Sequence, residues 1–500
     1  MRGIFSLNVL ERLPNEWKKW FDEDNNCHLD LLSSSMLCKD ISYSSLKSFI
    51  KRCEEYSLSS VLKSRLKSLS FEVVEETLTS LQKEKGKGNS SSSSSIQNQI
   101  SDAEINFSVG KVCVENPWKR IRQANGKKKH EVEELSSFMK KMKHFTKTDQ
   151  IFDIGSGLGY LGLYLHLVHG YKVIGAEGSL SNVNASLKLQ NNCLRTTCPA
   201  VKFIHWNLDD DGKTIEQAKL VTKNDLLSCT CSCGYDINSV MDVKNSPTSS
   251  YDIVSLHSCA DLSPIMLKIF SNNENLSSLV SLSCCYHKML PCVEEEELLA
   301  TMKTNSKFKN FPLSRNLYDI LEKREFKMNT FSLRLAAEES LCQYHNRTKT
   351  RNKLTEDVIS IAFRAILQTV CEQNGLQMKK RRRHCGKKSS YSTFEEYISI
   401  IFEDYLFLTS SNDSFSNLKY LTSQLLQFYL KVKESLKYIA LIRTLQLHLQ
   451  PVLEGLILLD RVLYLKENGF NYSGIFELFD DAISPRNKAI FAFREKFLNL

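Results

Sequence analysis

The sequence predicts an α/β protein built on a doubly wound sheet, with a helical region before the sheet and a large helical insertion before its last strands. In "DQIFDIGSGLGYLGLYLHLVHGYKVIGAEGS", residues 149–179, an apolar strand, a glycine-rich turn, a helix and a second strand follow one another. This order is typical of a βαβ unit. "AVKFIHW", "YDIVSLH" and "LVSLSCC" are short apolar runs that predict a third, fourth and fifth strand.

The remainder of the chain is mainly helical in pattern, with apolar residues recurring at three- and four-residue steps. "KGKGNSSSSSSIQNQ" interrupts the pattern and is too polar to bury a core, so it predicts a flexible linker. The predicted organisation is a helical region at 1–82, the linker at 83–104, a sheet core at 105–300 with a polar loop insertion at 209–250, a helical insertion at 301–470 with a basic loop at 379–390, and a C-terminal segment at 471–500 that returns a strand to the core.

Composition places the chain among ordinary globular proteins, with 42% hydrophobic and 25% charged residues over 500 residues. No run approaches the roughly 20 apolar residues that cross a bilayer, and no secretion signal is recognisable. We therefore expect an intracellular protein of the cytoplasm, the nucleus or both, without a membrane partner. Its 16 cysteines are then expected as buried thiols, metal ligands or catalysts rather than disulfides.

The glycine-rich turn "DIGSGLG" predicts a ligand site. Its glycines allow a tight turn and leave room for a ligand against the backbone, although structural turns use glycine too. Asp153, before the turn, could accept a hydrogen bond from a ligand amine. Glu177, at the end of the second strand, could accept hydrogen bonds from both hydroxyls of a ribose.

Two cofactors fit this spacing, S-adenosylmethionine and a nicotinamide dinucleotide. A dinucleotide site generally shows the spacing G-x-G-x-x-G. Counted from Gly155, the third glycine of this pattern is displaced to Gly162. Methyl transfer is therefore favoured over oxidoreduction.

Several motifs resemble one family when taken together and in order: "GKKKHEVEEL", "DIGSGLGYLG", "LHSCADLSPIML", "LVSLSCCYHKM", "PVLEGLILLDRVLYLKENG" and "LFDDAISPRN". They look like the methyltransferase-like 25 family of S-adenosylmethionine-dependent methyltransferase-fold proteins, one branch of which is named for a suspected ribosomal-RNA adenine dimethylase domain. The similarity runs from "LPNEWKKWF" to the last strand, and leaves out the linker, the loop from Asp209 and the basic segment.

The resemblance implies a seven-stranded class I methyltransferase sheet with S-adenosylmethionine at the carboxyl ends of its strands. Asp153 would meet the methionine amine and Glu177 the ribose hydroxyls. Asn207 would lie near the adenine, where such folds often show an acid, so Asp209 is the alternative. The implied cofactor-binding residues are Asp153, Gly155, Ser156, Gly157, Gly159, Glu177, Asn207 and His257.

"HSCADLS" and "SCCYH" end the fourth and fifth strands, where a doubly wound sheet borders its ligand crevice. Three explanations remain open. The cysteines could be small buried residues of the pocket. They could bind a metal, which is disfavoured because adjacent cysteines on a strand point to opposite faces. Residues here could also take part in methyl transfer, as a general base or a thiolate nucleophile. The candidate catalytic residues are His287, His257 and Tyr286, and no stable metal is expected.

Two basic runs and a cysteine-rich segment have several interpretations each. "GKKKHEV" (Lys128, Lys129 and His130) is either a solvated helix start or a lid over the ligand. The run at 379–388 is a nuclear address, an RNA-backbone contact or a solvated loop. "CTCSCG" lacks the two-residue spacers of zinc knuckles, so zinc is a minor alternative there.

The methyl acceptor is expected to be a macromolecule, either protein or RNA. Enzymes that methylate an adenine amine usually place an N-P-P-Y-like turn after the fourth strand, and this chain has "LHSCADLSP" there. Protein is therefore slightly favoured over RNA, for which the formal charge of +9 would leave room. The alternative is a binding or assembly protein that keeps the fold without turnover.

Overall fold

The structure, a computed structural model, describes residues 9–23, 44–64, 67–88, 116–121, 124–194, 200–209, 212–223, 250–292, 308–326, 328–347, 351–381, 391 and 393–498. The chain divides into two compact units. The sheet unit comprises Tyr56–Glu338 and Pro451–Leu500, and the helical unit comprises Met1–Glu55 and Glu339–Gln450.

A seven-stranded sheet forms the centre of the sheet unit. Its strands are β1 (Gln150–Ile154), β2 (Lys172–Glu177), β3 (Val201–His205), β4 (Tyr251–Ser258), β5 (Leu276–Ser283), β8 (Ser473–Glu477) and β9 (Lys488–Phe493). They lie in the order β3-β2-β1-β4-β5-β9-β8, with β9 antiparallel to both of its neighbours. The five preceding strands are parallel. The predicted doubly wound α/β fold of the class I methyltransferase type is confirmed.

Helices cover both faces of the sheet, which explains why β1, β4 and β5 are buried along nearly their whole length. Ile151 points into one layer of the core, with Val173, Val254 and Val280. Phe152 points into the other, with Ile174, Ile253 and Leu279. Alternate residues of each strand thus feed two separate cores, as the period of a strand requires.

Seventeen α-helices are described, with bounds as follows: α1 (Val9–Arg12), α2 (Asn15–Glu23), α3 (Ser44–Glu55), α4 (Leu58–Ser64), α5 (Phe71–Gly88), α6 (Gly126–Thr146), α7 (Tyr160–His169), α8 (Leu180–Leu194), α9 (Gly212–Lys223), α10 (Leu262–Asn272), α11 (Arg315–Lys323), α12 (Thr330–Ala336), α13 (Leu341–Arg347), α14 (Arg351–Gln373), α15 (Phe394–Asp404), α16 (Leu418–Val432) and α17 (Tyr438–Glu467). Among the described residues, no helix is both long and apolar enough to cross a membrane.

The helical unit has its own core, formed mainly by α14, α15 and α16, with Phe363, Phe394 and Leu421 among its buried residues. It also contains an antiparallel hairpin of β6 (Gln377–Lys380) and β7 (Tyr405–Leu408). Lys379 and Lys380 lie on β6 and not, as predicted, in a basic loop. Residues 382–390, the rest of that run, lie outside the described residues.

Two further sequence predictions fall partly outside the described residues. The linker is described only up to Gly88, which ends α5. The polar insertion contains α9, and its residues 224–249, including "CTCSCG", are outside the described part of the chain. The sequence analysis missed β8, a five-residue strand buried at four positions.

The C-terminal half of α17 fixes two loops of the sheet unit. The Asp460 carboxylate accepts hydrogen bonds from the backbone N–H of Leu313 and of Ser314, at 2.7 and 2.9 Å. The fully buried Arg461 donates to Ser263 Oγ at 3.1 Å and to Ser283 Oγ, and its guanidinium lies 5.5 Å from the centre of the Tyr286 ring. The ends of α10 and β5 are therefore tied to one buried cation.

Gly157 and Gly159, both in the turn after β1, are matched sites for a test of packing. Both have positive φ, +58° and +78°. A Cβ at Gly159 would lie 2.4 Å from the Phe203 ring, whereas a Cβ at Gly157 would meet nothing within 4 Å. Gly159→Ala should lower the free energy of unfolding by about 2–4 kcal/mol, since overpacking adds to backbone strain. Gly157→Ala should cost only about 1 kcal/mol. Urea unfolding would measure both, and equal losses would contradict the packing role of Gly159.

Candidate functional site

The turn after β1 presents backbone toward an open space. Gly155, Gly157 and Gly159 all have positive φ, a conformation that glycine adopts without steric cost. The backbone N–H groups of Gly155 and Ser156 donate to the carbonyl of Ala176 at 2.8 and 3.1 Å, which ties the turn to β2. Of the three glycines, only Gly157 has open space where a Cβ would lie. The turn is therefore accessible to a ligand at its middle glycine.

Asp153 is the last residue but one of β1 and is 1% exposed. Neither of its carboxylate oxygens has a hydrogen-bond partner among the described residues. Burial, together with the negative charge of Glu177, raises the pKa of Asp153 to about 7. A buried carboxylate without a partner costs free energy, and a cationic donor would remove that cost. Asp153 thus fits the ligand amine that the sequence analysis assigned to it.

Glu177, at the end of β2, already accepts three hydrogen bonds. They come from the backbone N–H of Gly157 and of Ser179, both at 2.9 Å, and from Asn182 Nδ2 at 3.2 Å. A carboxylate has about four acceptor positions, so about one remains for a ligand hydroxyl. Glu177 connects the glycine turn to the start of α8, a role that the sequence analysis did not anticipate.

Asn207 and Asp209 follow β3 and are both exposed. Asn207 Oδ1 lies 3.2 Å from the position that a Cβ of Gly178 would take, so the Asn207 side chain is next to the residue after Glu177. Between β3 and Asn207, Trp206 stacks on Phe152 with 6.1 Å between the ring centres. The backbone N–H of Asp209 donates to Thr214 Oγ1 at 3.3 Å. Asn207 is accordingly better placed beside Glu177 than Asp209.

A buried carboxylate, Glu131 on α6, is the main site residue that the sequence analysis missed. It is fully buried and accepts hydrogen bonds from His257 Nε2 at 3.0 Å and Ser484 Oγ at 2.9 Å, with Lys128 Nζ also at 3.0 Å. Burial alone raises the pKa of Glu131. The hydrogen bond with His257 and the charges of His257 and Lys128 outweigh it and lower the pKa to about 2. The only signal in the sequence is an acid that directly follows a run of four basic residues.

His257, near the end of β4, presents one nitrogen to Glu131 while a third of its side chain stays exposed. The rest of the basic run is held within the sheet unit. Lys129 lies 5.8 Å from the centre of the Trp118 ring, and His130 Nε2 accepts from the backbone N–H of Asp480 at 3.4 Å. Lys128, Lys129 and His130 lie at the start of α6. Asn125 caps this helix, since its side chain accepts a hydrogen bond from the Lys128 N–H at 2.8 Å.

Three cysteines converge at the ends of β4 and β5. Cys259 follows β4, and Cys284 and Cys285 follow β5, which ends at Ser283. Neither Cys284 nor Cys285 lies on the strand, contrary to prediction, so the alternation of strand side chains does not separate them. Cys284 Sγ is 2.8 Å from Cys259 Sγ and 3.5 Å from Cys285 Sγ, and all three sulfurs lie within 4.8 Å of one another. We call this group the thiol cluster.

The thiols of the cluster differ in acidity. The hydrogen bond with Cys284 lowers the pKa of Cys259 to about 6, against the effect of burial, and the charges of His257 and Lys288 act in the same direction. The same hydrogen bond is the main reason why the pKa of Cys284 is raised, and burial is the second reason. His257 is thus close enough to Cys259 for its charge to act on the thiol.

Tyr286 and His287, also expected at the site, occupy different environments. Tyr286 is 1% exposed, and its hydroxyl donates to Glu454 Oε1 at 3.1 Å, which also accepts from Arg486 at 2.7 Å. Such a buried position does not fit the catalytic role expected for Tyr286. His287 is partly buried, and its Nδ1 has no partner among the described residues. Burial, then the charges of Arg334 and Lys288, lower its pKa, so the ring is neutral at neutral pH.

Comparisons with known proteins identify the domain. A family described as a methyltransferase domain matches residues 127–292. The human probable methyltransferase-like protein 25 is 24% identical over 480 residues, 76% of this chain and 76% of that protein. The mouse protein of the same name is 24% identical over 495 residues, 77% of each.

Two solved structures are also similar. TrmK of M. capricolum in complex with S-adenosylhomocysteine is 14% identical and covers 35% of this chain and 57% of its own, with a TM-score of 0.18. Magnesium protoporphyrin IX methyltransferase (ChlM) of Synechocystis PCC 6803 with bound S-adenosylhomocysteine is 15% identical and covers 41% and 81%, with a TM-score of 0.21. The relatives and the domain match agree with the resemblance seen in the motifs: residues 127–292 match a methyltransferase domain, and the chain is similar to the methyltransferase-like 25 proteins over about three quarters of its length.

Proposed function

We propose that the protein is an S-adenosylmethionine-dependent methyltransferase that acts on a macromolecular acceptor. The observation that carries this proposal is the buried, unpartnered carboxylate of Asp153 beside an open glycine turn. A cationic amine is the kind of group that such a carboxylate requires. The methionine part of S-adenosylmethionine provides that amine, and its remaining parts match the residues that follow along the sheet edge.

The residues of the sheet edge fit the cofactor in order. Asp153 would bind the amine, and Gly157 would lie against the cofactor where its missing side chain leaves space. Glu177 retains about one acceptor position for a ribose hydroxyl, and Asn207 lies next to it for the adenine. When bound, S-adenosylmethionine supplies an electrophilic methyl group, and the protein supplies orientation and proton removal.

The pair of Glu131 and His257 is suited to proton removal at the acceptor. Glu131 is ionised and fully buried, so its hydrogen bond fixes the imidazole and stabilises the protonated ring. His257 keeps a third of its side chain exposed at the end of β4, where a substrate can approach it. We assign His257 the role of general base and Glu131 that of a positioning residue. His287, neutral at neutral pH, is the second candidate base.

A protein acceptor is favoured over an adenine of RNA. The turn after β4 contains Ala260 at φ +54° and Asp261 instead of an N-P-P-Y-like sequence. The two Asp261 oxygens already accept from the Leu290 N–H and from Asn310 Nδ2, both at 2.8 Å. Asp261 thus already holds Leu290 and Asn310, and the turn lacks the N-P-P-Y-like arrangement that would hold an exocyclic amine. An acceptor held mainly by shape fits this turn better.

A labelling experiment tests the function. Purified protein and tritium-labelled S-adenosylmethionine would be added to a lysate of cells that lack the protein, and the products treated with nuclease or protease. We expect label that only protease removes. Label that only nuclease removes would replace the protein acceptor with RNA. Absence of label together with failure to bind S-adenosylhomocysteine in a calorimeter would favour a non-catalytic assembly protein.

The Asp153 carboxylate predicts a pH-dependent cofactor affinity. Its pKa is raised to about 7 without ligand, so below that pH the carboxyl must lose a proton before it can bind an amine. The affinity for S-adenosylhomocysteine should fall by up to about tenfold for each pH unit below 7. Asp153→Asn should weaken binding by at least about tenfold at neutral pH and remove this dependence. Calorimetry from about pH 6 to pH 8 measures it.

The matched control for this variant is Asp209→Asn, which removes an exposed acid near the same edge. The control should keep both the affinity and the pH dependence of the unmodified protein. An unmodified protein whose affinity is flat over this range, or an Asp153→Asn variant that binds normally, would contradict the assignment of Asp153.

Glu131→Gln tests the positioning role. The amide keeps the shape but loses the charge that stabilises protonated His257, so label transfer should fall by about 100-fold. The dissociation constant for S-adenosylhomocysteine should stay within about twofold, because Glu131 has no assigned contact with the cofactor. Glu134→Gln, on the same helix and exposed, is the control. If label transfer falls only in proportion to the amount of folded protein, Glu131 has a structural role and the positioning role is contradicted.

A further inference from the structure

The thiol cluster has no role in the function proposed above, yet its position in the sheet is well defined. Ser258 and Ser283 are register partners on the neighbouring parallel strands β4 and β5. Cys259 and Cys284 are the residues that directly follow this pair. The sheet itself therefore brings their sulfurs together, and the turn after β5 adds Cys285.

We propose that Cys259, Cys284 and Cys285 form a zinc site, in which three thiolates bind the ion and a fourth position stays open to water or another donor. Thiolates are preferred zinc ligands, and zinc sites with three protein ligands keep one position open. The ligand class is a thiophilic divalent cation, with cadmium and cobalt as probes of the same site. The site lies at the end of β4 and β5, the edge to which the proposed acceptor is assigned.

The sulfur positions are close to those that a tetrahedral zinc ion requires. With zinc–sulfur distances of about 2.3 Å, neighbouring sulfurs lie about 3.8 Å apart. Cys284 and Cys285 are at 3.5 Å, and Cys259 would have to move about 1 Å away from Cys284. A small side-chain rotation achieves this. A disulfide would use only two of the three sulfurs.

The backbone around the cluster is held firmly, which favours a preformed site. Ser258 Oγ donates to the carbonyl of Leu282 at 3.0 Å, which joins the two strand ends. The buried Arg461 holds Ser283 Oγ, immediately before Cys284. Hydrogen bonds of this kind orient the residues that bind a metal.

The charges around the cluster also suit a zinc–thiolate site. Three thiolates and one divalent ion carry a net charge of about −1. His257 and Lys288 lie close enough to act electrostatically on Cys259, and both are basic residues. The Lys288 ammonium would offset the remaining negative charge, so the loaded site has compensation within the sheet unit.

Metal titration of the full-length protein tests the proposal. Protein that has been stripped of metal and reduced would be titrated with zinc, and with cadmium to follow the thiolate-to-metal absorption band. We expect one tight equivalent. Single variants Cys259→Ser, Cys284→Ser and Cys285→Ser should each lose it or bind at least about tenfold more weakly, since each removes one ligand. Binding of S-adenosylhomocysteine in the same samples reports that the variants are folded.

Two controls make the result specific to the cluster. Cys342→Ser removes an exposed cysteine of the helical unit, and a triple Cys229→Ser, Cys231→Ser, Cys233→Ser variant removes "CTCSCG". Both should retain the tight equivalent. The proposal is overturned if no zinc binds tightly, or if the triple variant loses the tightly bound zinc. It is also overturned if a Cys259–Cys284 disulfide accounts for the contact between these two sulfurs. None of these outcomes depends on whether methyl transfer is observed.

Discussion

The carboxylate of Glu131 is the interaction on which the arrangement of the proposed acceptor side depends. It lies on the helix before the sheet, yet it bonds to His257 on β4 and to Ser484 in the C-terminal segment. Three distant parts of the chain thus meet at one buried charge. Removing one partner of a buried, hydrogen-bonded ion costs about 3–5 kcal/mol, more than a typical surface pair contributes. The position of the His257 ring is therefore set by distant parts of the chain as well as by its own strand.

A second buried carboxylate, Asp153, has the opposite environment. Glu131 has its charge compensated within the protein, and its pKa is lowered to about 2. Asp153 has no such partner among the described residues, and its pKa is raised to about 7. The two environments indicate different roles. A buried carboxylate that is hydrogen-bonded within the protein stabilises the structure, whereas a buried carboxylate without partners is a candidate for binding a ligand. Asp153 lies on β1, and Glu131 holds a histidine on the neighbouring strand β4.

Much of the sheet could be predicted because its signals are local. The run around Asp153 shows strand, turn and helix within about thirty residues, as a βαβ unit must. The strand β8 could not be predicted, since its pairing with β9 is set by residues outside the strand. The nearness of Cys259 to Cys284 was expected from their places after the fourth and fifth strands, whereas the register that sets the distance between their sulfurs was not. Glu131 was missed for the same reason: its partner His257 is 126 positions away, and the sequence shows only an acid beside basic residues.

The order of the strands has a consequence for how the protein is made. β5 ends at Ser283, but its partner β9 begins only at Lys488, so one edge of β5 lacks this neighbour until about 200 further residues have been synthesised. Unpaired edges of apolar strands readily pair with other chains. The edge of β5 is therefore exposed and prone to aggregation while the residues between β5 and β9 are synthesised. The yield of folded protein in a cell should depend on chaperones more than the stability of the finished fold suggests.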